Sequence, residues 1–282
     1  VLKNGWVATR DRNHVQDLYL FVYGNDYKAA LKSLQAVSGP SPMTRKYVHG
    51  SWYCRWWNYT DEDYRQLVRE YREHDFPLDI MVFDMGWHTQ NAKVGTGHAG
   101  TRGWTGYSWN RKLIPEPEKL IKDFKDDHIY VVLNEQPHDG IRPQEDSYQA
   151  FVRDLGVDTQ QTGVPLFDAG DRDYMNAFMK HAHQERIPWV VSDKRFINGM
   201  FNKVLRPMEK QGVDFWWLDW QQWMYDKKVD SLSNTWWINY VFFSDMERNR
   251  DTRPMLYHRW GGLGNHRYQI GFSGDAVISW KS

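Results

Sequence analysis

The feature that most constrains this chain is a repeated alternation. Short, continuously apolar runs are separated by segments of helical periodicity, and polar or acidic residues stand where the apolar runs stop. "KYVHGSWYC" (46–54), "LDIMVFDM" (78–85), "IYVVLNE" (129–135), "VDFWWLDW" (213–220), "PMLYHRW" (254–260) and "YQIGFSGD" (268–275) are expected as strands. Helices are expected over 60–74, 116–127, 172–184, 193–211 and 234–250. Apolar runs without alternation imply strands covered on both faces, so the pattern predicts βαβ units and a parallel sheet.

Two parallel architectures meet that description, an open doubly wound sheet and a closed (β/α)8 barrel. A dinucleotide-binding sheet calls for G-x-G-x-x-G after an early strand, and none is present; "GGLGN" (261–265) has other spacing and is expected as a flexible loop. The strand ends instead carry Asp84, Asn134, Glu135, Asp219, Arg259 and Asp275. A barrel builds its active site at that end of its strands. The fold class expected is therefore α/β, a (β/α)8 TIM-barrel domain with six of its eight strands in view. An unclosed sheet has apolar edges, so association with a further chain or domain completing the barrel is expected. Residues 1–45, with a short strand and then a helix, look like a lead-in from a preceding module, and 46–282 like the partial barrel.

Composition narrows the partner. Of 282 residues, 41% are apolar, enough for a sizeable core, and 16% are aromatic, including 16 Trp and 16 Tyr. Aromatic faces combine apolar area with a polar edge and suit flat, weakly polar ligands. Formal net charge is zero, unlike the basic footprint of a nucleic-acid binder. No run of 18 apolar residues is present, so no membrane span is expected, and the opening "VLKNGWVATRDRN" has no signal-peptide pattern. The single Cys54 excludes an intrachain disulfide and a multi-cysteine metal site. His181 and His183, two apart on a helix, do not share a face, so no metal is expected there. No cofactor is expected. Asn58 begins the sequon "NYT", but Thr60 with Asp63 fits a helix-opening capping box better. "WWNY" (56–59) and Trp236–Trp237 are expected to pack in the interior, and His88 and His98 to sit in a solvated loop.

"GVDFWWLDWQQWMYD" (212–226) is the most unusual stretch. Three tryptophans (Trp216, Trp217 and Trp220) crowd Asp219 in the sequence. A buried lone carboxylate is costly without partners. Asp275, in "GFSGDAVISW", has a similar setting. Each alone would suit a capping or turn aspartate. Two acids at two strand ends among aromatics suit glycoside hydrolysis, where one attacks the anomeric carbon and the other moves the proton.

With these motifs in order, the chain from Lys46 to Trp280 resembles glycoside hydrolase family 31, the retaining α-glucosidase family and its relatives. "GVDFWWLDWQQ" resembles the nucleophile strand, "RWGGLGNHRYQIGFSGD" the acid/base segment, "FPLDIMVFDMGWH" the strand whose last Asp binds sugar hydroxyls, and "LNEQPHDGI" the loop of the third strand. The resemblance implies Asp219 as nucleophile and Asp275 as acid/base. It implies substrate contacts from Asp84, Arg259 and Trp217, and from Phe272 where many members carry Trp. His266 and Arg267 lie in the same loop. Trp220, Gln221 and Gln222 depart from the usual α-glucosidase motif, and "DWQQ" resembles a branch that includes α-N-acetylgalactosaminidases. Terminal α-linked sugars are thus the expected substrates, with N-acetylgalactosamine ahead of galactose as the alternative to glucose. A non-catalytic carbohydrate-binding or structural fragment is the reading from another class. The resemblance favours a secreted or periplasmic setting.

Overall fold

The structure is a computed structural model describing residues 18–89, 104–155, 187, 189–219, 225–226, 229, 232–259 and 262–281. Its centre is a six-stranded sheet in sequential order: β1 (Trp52–Arg55), β2 (Ile80–Phe83), β3 (Tyr130–Glu135), β4 (Phe215–Leu218), β5 (Tyr257–Arg259) and β6 (Gly271–Phe272). Every neighbouring pair is parallel. All residues of β2 and β4 are buried, as expected for strands covered on both faces. Six consecutive parallel strands curled around one interior form a partial (β/α)8 barrel.

The register sorts the side chains by face. Cys54, Val82, Val132 and Phe215 are linked by pairing, and the period of two carries their face on to Asp84, Asn134, Trp217 and Asp219. Trp217 pairs with Tyr257 and Arg259 with Phe272, so these belong to the same face. It is the concave one: Trp52 of β1 reaches across the interior to Phe215 of β4, with ring centroids 5.8 Å apart, and to Tyr257 of β5 at 5.1 Å. The opposite face meets the helices. Phe83 packs 4.3 Å from Tyr64 of α2 (Asp61–Glu73) and 6.0 Å from Phe124 of α3 (Pro117–Asp126).

Helix α2 begins as expected. The Thr60 hydroxyl accepts from the Asp63 N–H at 3.1 Å, and the Asp63 carboxylate accepts from the Thr60 N–H at 2.8 Å. Two otherwise orphaned donors are satisfied reciprocally. The helix expected over 193–211 is continuous but changes pitch: Lys194–Gly199 and Arg206–Lys210 are α-helical, while Met200–Leu205 is a π-turn. Pro207 explains the change, since it brings no N–H and its ring crowds the carbonyl four residues earlier. Helix 234–250 is present as Asn234–Asn249.

Several expectations need correction. Residues 46–54 are not one strand. Lys46–His49 form a 3-10 turn, which places Tyr47 in a stack on Tyr130, and the strand starts only at Trp52. Among the described residues no strand precedes Trp52; residues 18–26 are exposed, and helix α1 follows at Tyr27–Ser38. A helix at Tyr148–Leu155 was not expected; only Tyr148, Phe151 and Val152 of its eight residues are buried, too short a pattern to separate from loop. The helix expected over 172–184, with His181 and His183, lies outside the described residues, as does His98.

Candidate active site

The concave face ends in the residues that the strand-end pattern singled out. Asp219 is one residue past β4. Its N–H donates to the Glu135 carbonyl at 3.0 Å, which extends the ladder beyond the strand and fixes where its side chain leaves the backbone. The residue is 5% exposed. A carboxylate so buried needs donors, and it has them on both oxygens. Oδ1 accepts from Arg259 Nε at 2.8 Å, and Oδ2 accepts from Asn134 Nδ2 at 3.0 Å and from Gln136 Nε2 at 3.4 Å.

Arg259 ends β5 and faces the same interior. Its Nη2 donates to Asp275 Oδ2 at 3.3 Å, so one guanidinium touches both acids. It also lies over the Phe272 ring, 4.8 Å from the centroid. Gly274 makes room for it. A Cβ there would come within 2.5 Å of Arg259 Nη1, and the backbone φ of +78° is one that glycine adopts without strain. Asp275 itself is open to water, with a side chain 91% exposed.

Asp84 follows β2 and accepts from the Met85 N–H at 2.7 Å, opening a 3-10 turn over Met85–Trp87. Burial, opposed by that hydrogen bond and reinforced by the charges of Asp219 and Asp275, pushes its carboxyl up to about 6. Cys54 is exposed on the open side of this face. Crowding by surrounding protein, then the charges of Asp84 and Asp219, holds its thiol well above the ordinary value. Trp217, Tyr257 and Phe272 form an aromatic wall: Trp217 to Phe272 is 5.4 Å and nearly perpendicular, and Tyr257 to Phe272 is 4.8 Å.

Asp219, Asp275, Asp84, Arg259, Trp217 and Phe272 are therefore gathered at one end of the sheet. Trp220 and Gln221 lie outside the described residues, as does Gln222. Trp216 does not crowd Asp219. It alternates to the other face, where its indole donates to Glu209 Oε1 at 3.0 Å. His266 and Arg267 turn away from the acids. His266 Nε2 lies 2.8 Å from the Gly39 carbonyl and 3.3 Å from Ser38 Oγ, and the Arg267 stem lies against Gly39, so both fasten the lead-in helix to the barrel loop.

His88 is not a solvated loop residue. It is buried between the Thr89 and Trp104 carbonyls, and burial lowers its pKa to about 4, so it holds the 104–109 segment as a neutral ring. Trp56 and Trp57 are half exposed at the rim rather than interior, with Arg55 over the Trp57 ring, whereas Trp237 is buried as expected. Among the described residues no cluster of His, Cys, Asp and Glu could hold a metal ion, and no helix is long and apolar enough to cross a membrane.

Gln136 was missed as a residue of the site, and Asn134, though it stood among the strand-end residues, had no role assigned. Asn134 and Gln136 stood in the strand-three motif, but neutral amides give no charge signal, and only the register brings them to Asp219. Glu135, between them, faces the helix layer. It is 2% exposed, accepts from Tyr107 Oη at 3.2 Å, and is pushed up by burial to about 8.

Comparison with known proteins agrees with this fold. Residues 41–282 match the profile of the glycosyl hydrolases family 31 TIM-barrel domain. A probable glucan 1,3-alpha-glucosidase of Arabidopsis thaliana is 28% identical over 161 residues, which cover 57% of this chain and 15% of that protein. An alpha-xylosidase of Saccharolobus solfataricus is 23% identical over 105 residues, covering 37% of this chain and 13% of that protein. In fold, the chain is similar to a family 31 dextranase of Flavobacterium johnsoniae solved with glucose, with TM-score 0.64, 18% identity, and coverage of 90% of this chain and 30% of the other. The chain thus spans well under half the length of the relatives it matches. With a profile match over most of its length and the expected strand order, the chain belongs to glycosyl hydrolase family 31.

Proposed function

We propose that this chain is the catalytic barrel of a retaining α-glycosidase, with residues 1–45 as its lead-in. The observation that carries the reading is the single Arg259 guanidinium bonded to both Asp219 and Asp275 at the carboxyl ends of the strands. Retaining hydrolysis requires two carboxyl groups about 5–5.5 Å apart across the scissile bond. One guanidinium gripping both acids supports such a spacing.

In the first step Asp219 attacks the anomeric carbon as that carbon's bond to the leaving oxygen breaks. Asp275, entering as the acid, gives its proton to that oxygen. The products are a covalent glycosyl ester on Asp219, a free alcohol and an Asp275 carboxylate. In the second step Asp275 takes a proton from water, the water oxygen attacks the anomeric carbon, and the ester bond breaks to restore Asp219. Asp84 accepts hydrogen bonds from sugar hydroxyls, and Arg259 balances the acids' charge. Trp217 and Phe272 wall the sugar, while Trp220 and Gln221 contribute from the segment after the nucleophile.

The substrate class is a terminal α-linked sugar. The names of the relatives, glucosidases and xylosidases among them, support α-gluco and α-xylo configurations. The "DWQQ" sequence supports N-acetylgalactosamine or galactose instead, with an amide from Gln221 on an acetamido group or axial hydroxyl. A set of aryl α-glycosides of glucose, xylose, galactose and N-acetylgalactosamine, assayed on the intact protein, separates these. Asp219→Asn is expected to abolish turnover with the fold retained, and turnover that survives rejects Asp219 as nucleophile. The open setting of Asp275 favours a second element of the reading, that further chain completes the barrel around it. If no glycoside is turned over but sugars still bind, the domain is a carbohydrate-binding module.

A further inference from the structure

Among the described residues Asp219 is held by two kinds of donor, and the amide side has no assigned role. Asn134 and Gln136 are two apart on β3 and its extension, so they share the concave face, and both are buried, at 1% and 4% exposure. Asn134 pairs in register with Trp217, which sets its side chain beside the end of β4. Gln136 Nε2 also reaches Asn134 Oδ1 at 3.5 Å. That contact uses the oxygen edge of the Asn134 amide and leaves Nδ2 as the edge facing Asp219.

We propose that Asn134, seconded by Gln136, is a positioning residue for the nucleophile: its amide fixes Asp219 Oδ2 while Arg259 fixes Oδ1, so the carboxylate plane is locked before substrate arrives. This rests on the reading of Asp219 as nucleophile. Rotating the carboxylate would break both contacts at once. The two donors also differ in kind. The guanidinium is charged and shared with Asp275, whereas the amide is neutral, can only donate through its NH2, and belongs to the rigid strand next door. When Asp219 attacks, negative charge leaves it and the new ester keeps one carbonyl oxygen. A neutral donor on that oxygen loses little as the charge departs, and supports the carboxylate again when the second step restores it. Asn134 is too deeply covered to reach substrate itself, so its effect passes through Asp219.

The test uses the intact protein and a slow mechanism-based α-glycosyl fluoride that labels the nucleophile. Labelled sites are counted by mass, and turnover per labelled site is measured with an aryl α-glycoside. Asn134→Leu keeps the shape and removes the donor. Full labelling is expected, with kcat per site down roughly 10–100-fold and KM within about 3-fold, below the roughly 100–1000-fold lost when a donor to the reacting oxygen itself is removed, because Asn134 acts through Asp219. Gln136→Leu, with the longer contact, should lose less. Asn134→Asp supplies the sign. Near neutral pH the introduced carboxylate repels Asp219, and on acidification it can share a proton and donate in the amide's place. Its activity relative to the unsubstituted protein should therefore climb as pH falls. Fewer labelled sites with normal turnover at each would assign Asn134 a purely structural role and overturn the proposal, as would an Asn134→Asp pH profile parallel to that of the unsubstituted protein. Label on Asp219 with unchanged kinetics in both Asn134 variants overturns the positioning role alone. Absence of label on Asp219 in the unsubstituted protein overturns the nucleophile reading and this proposal with it.

Discussion

Asp219 and Asp275 are joined through one side chain, with Arg259 Nε 2.8 Å from the first and Nη2 3.3 Å from the second. The two contacts are unequal in environment. Asp219 is covered by the strands of this chain, so its ion pair is weakly screened, whereas the surroundings of Asp275 depend on what completes the barrel around it. Replacing Arg259 by Leu should therefore act on Asp219 in any case, leaving a covered carboxylate without this cation. A loss of turnover of about 100-fold or more is expected, with a lower Tm, since removing one partner of a buried pair costs roughly 3 kcal/mol. Turnover within about 3-fold of the parent would show that the shared guanidinium has no part in the chemistry.

Gly274→Ala gives a cleaner perturbation, because it touches the same guanidinium from outside the ion pairs. The added methyl would stand 2.5 Å from Arg259 Nη1 at a φ of +78°. Displacement of Arg259 should lower activity by at least about tenfold, since small misplacements near reacting groups are costly. The site is peripheral to the core, so thermal unfolding should move by only a few degrees. A fully active variant would mean that Arg259 tolerates a second position.

Asp84 provides a pH signature. Burial and the neighbouring acids raise its carboxyl to about 6, so it is ionised above that value and neutral below it. An ionised carboxylate accepts at both oxygens, whereas protonation turns one of them into a donor. KM should therefore rise as pH falls through about 6, and Asp84→Asn should bind sugar weakly at every pH with that inflection gone. Steady-state kinetics from pH 4.5 to about 8 checks this, and an unchanged inflection in the variant would assign it to another group.

Glu135 bears on stability instead. Its pKa rises from an ordinary carboxyl value to about 8 in the folded protein. The folded state thus binds the extra proton between those values. Stability contributed by the protonated form is complete below the unfolded pKa and is lost as pH rises through the folded one, at about 1.4 kcal/mol per pH unit. Urea unfolding should show stability falling from about pH 4.5 towards 8, with a shallower slope for Glu135→Gln. Equal slopes for the two proteins would place the titration elsewhere.

The sequence carried the strands well wherever both faces are buried. β2 and β4 are apolar at every position and β3 is apolar up to Leu133, so the runs and the polar or acidic residues that end them stand out. The Thr60–Asp63 cap was equally visible, because its chemistry is local. Long-range geometry was hidden. Tyr47 has strand-like neighbours but leaves the sheet to stack on Tyr130, which lies far along the chain. Trp216 and Trp217 are identical in composition and differ only in face. Gln136 carries no charge to draw notice, Asn134 drew it only by ending a strand, and Asp219 is 83 and 85 residues away from them. Trp56, Trp57 and His88 show the reverse error, since an aromatic pair suggests a core and a glycine-rich neighbourhood suggests solvent, and here neither holds.

The alternation along β4 also sets which changes the lineage of this chain can tolerate. Trp217 and Asp219 look into the barrel while Trp216 and Leu218 look out to the helices. Adding or deleting one residue within the strand would exchange the two sets, turning the acid towards the helices and an indole into the mouth. Length variation must therefore collect after the strands, in the connecting loops. There insertions can reshape the mouth without moving the acids at the strand ends, so the rim and the strand-end residues are free to diverge at different rates.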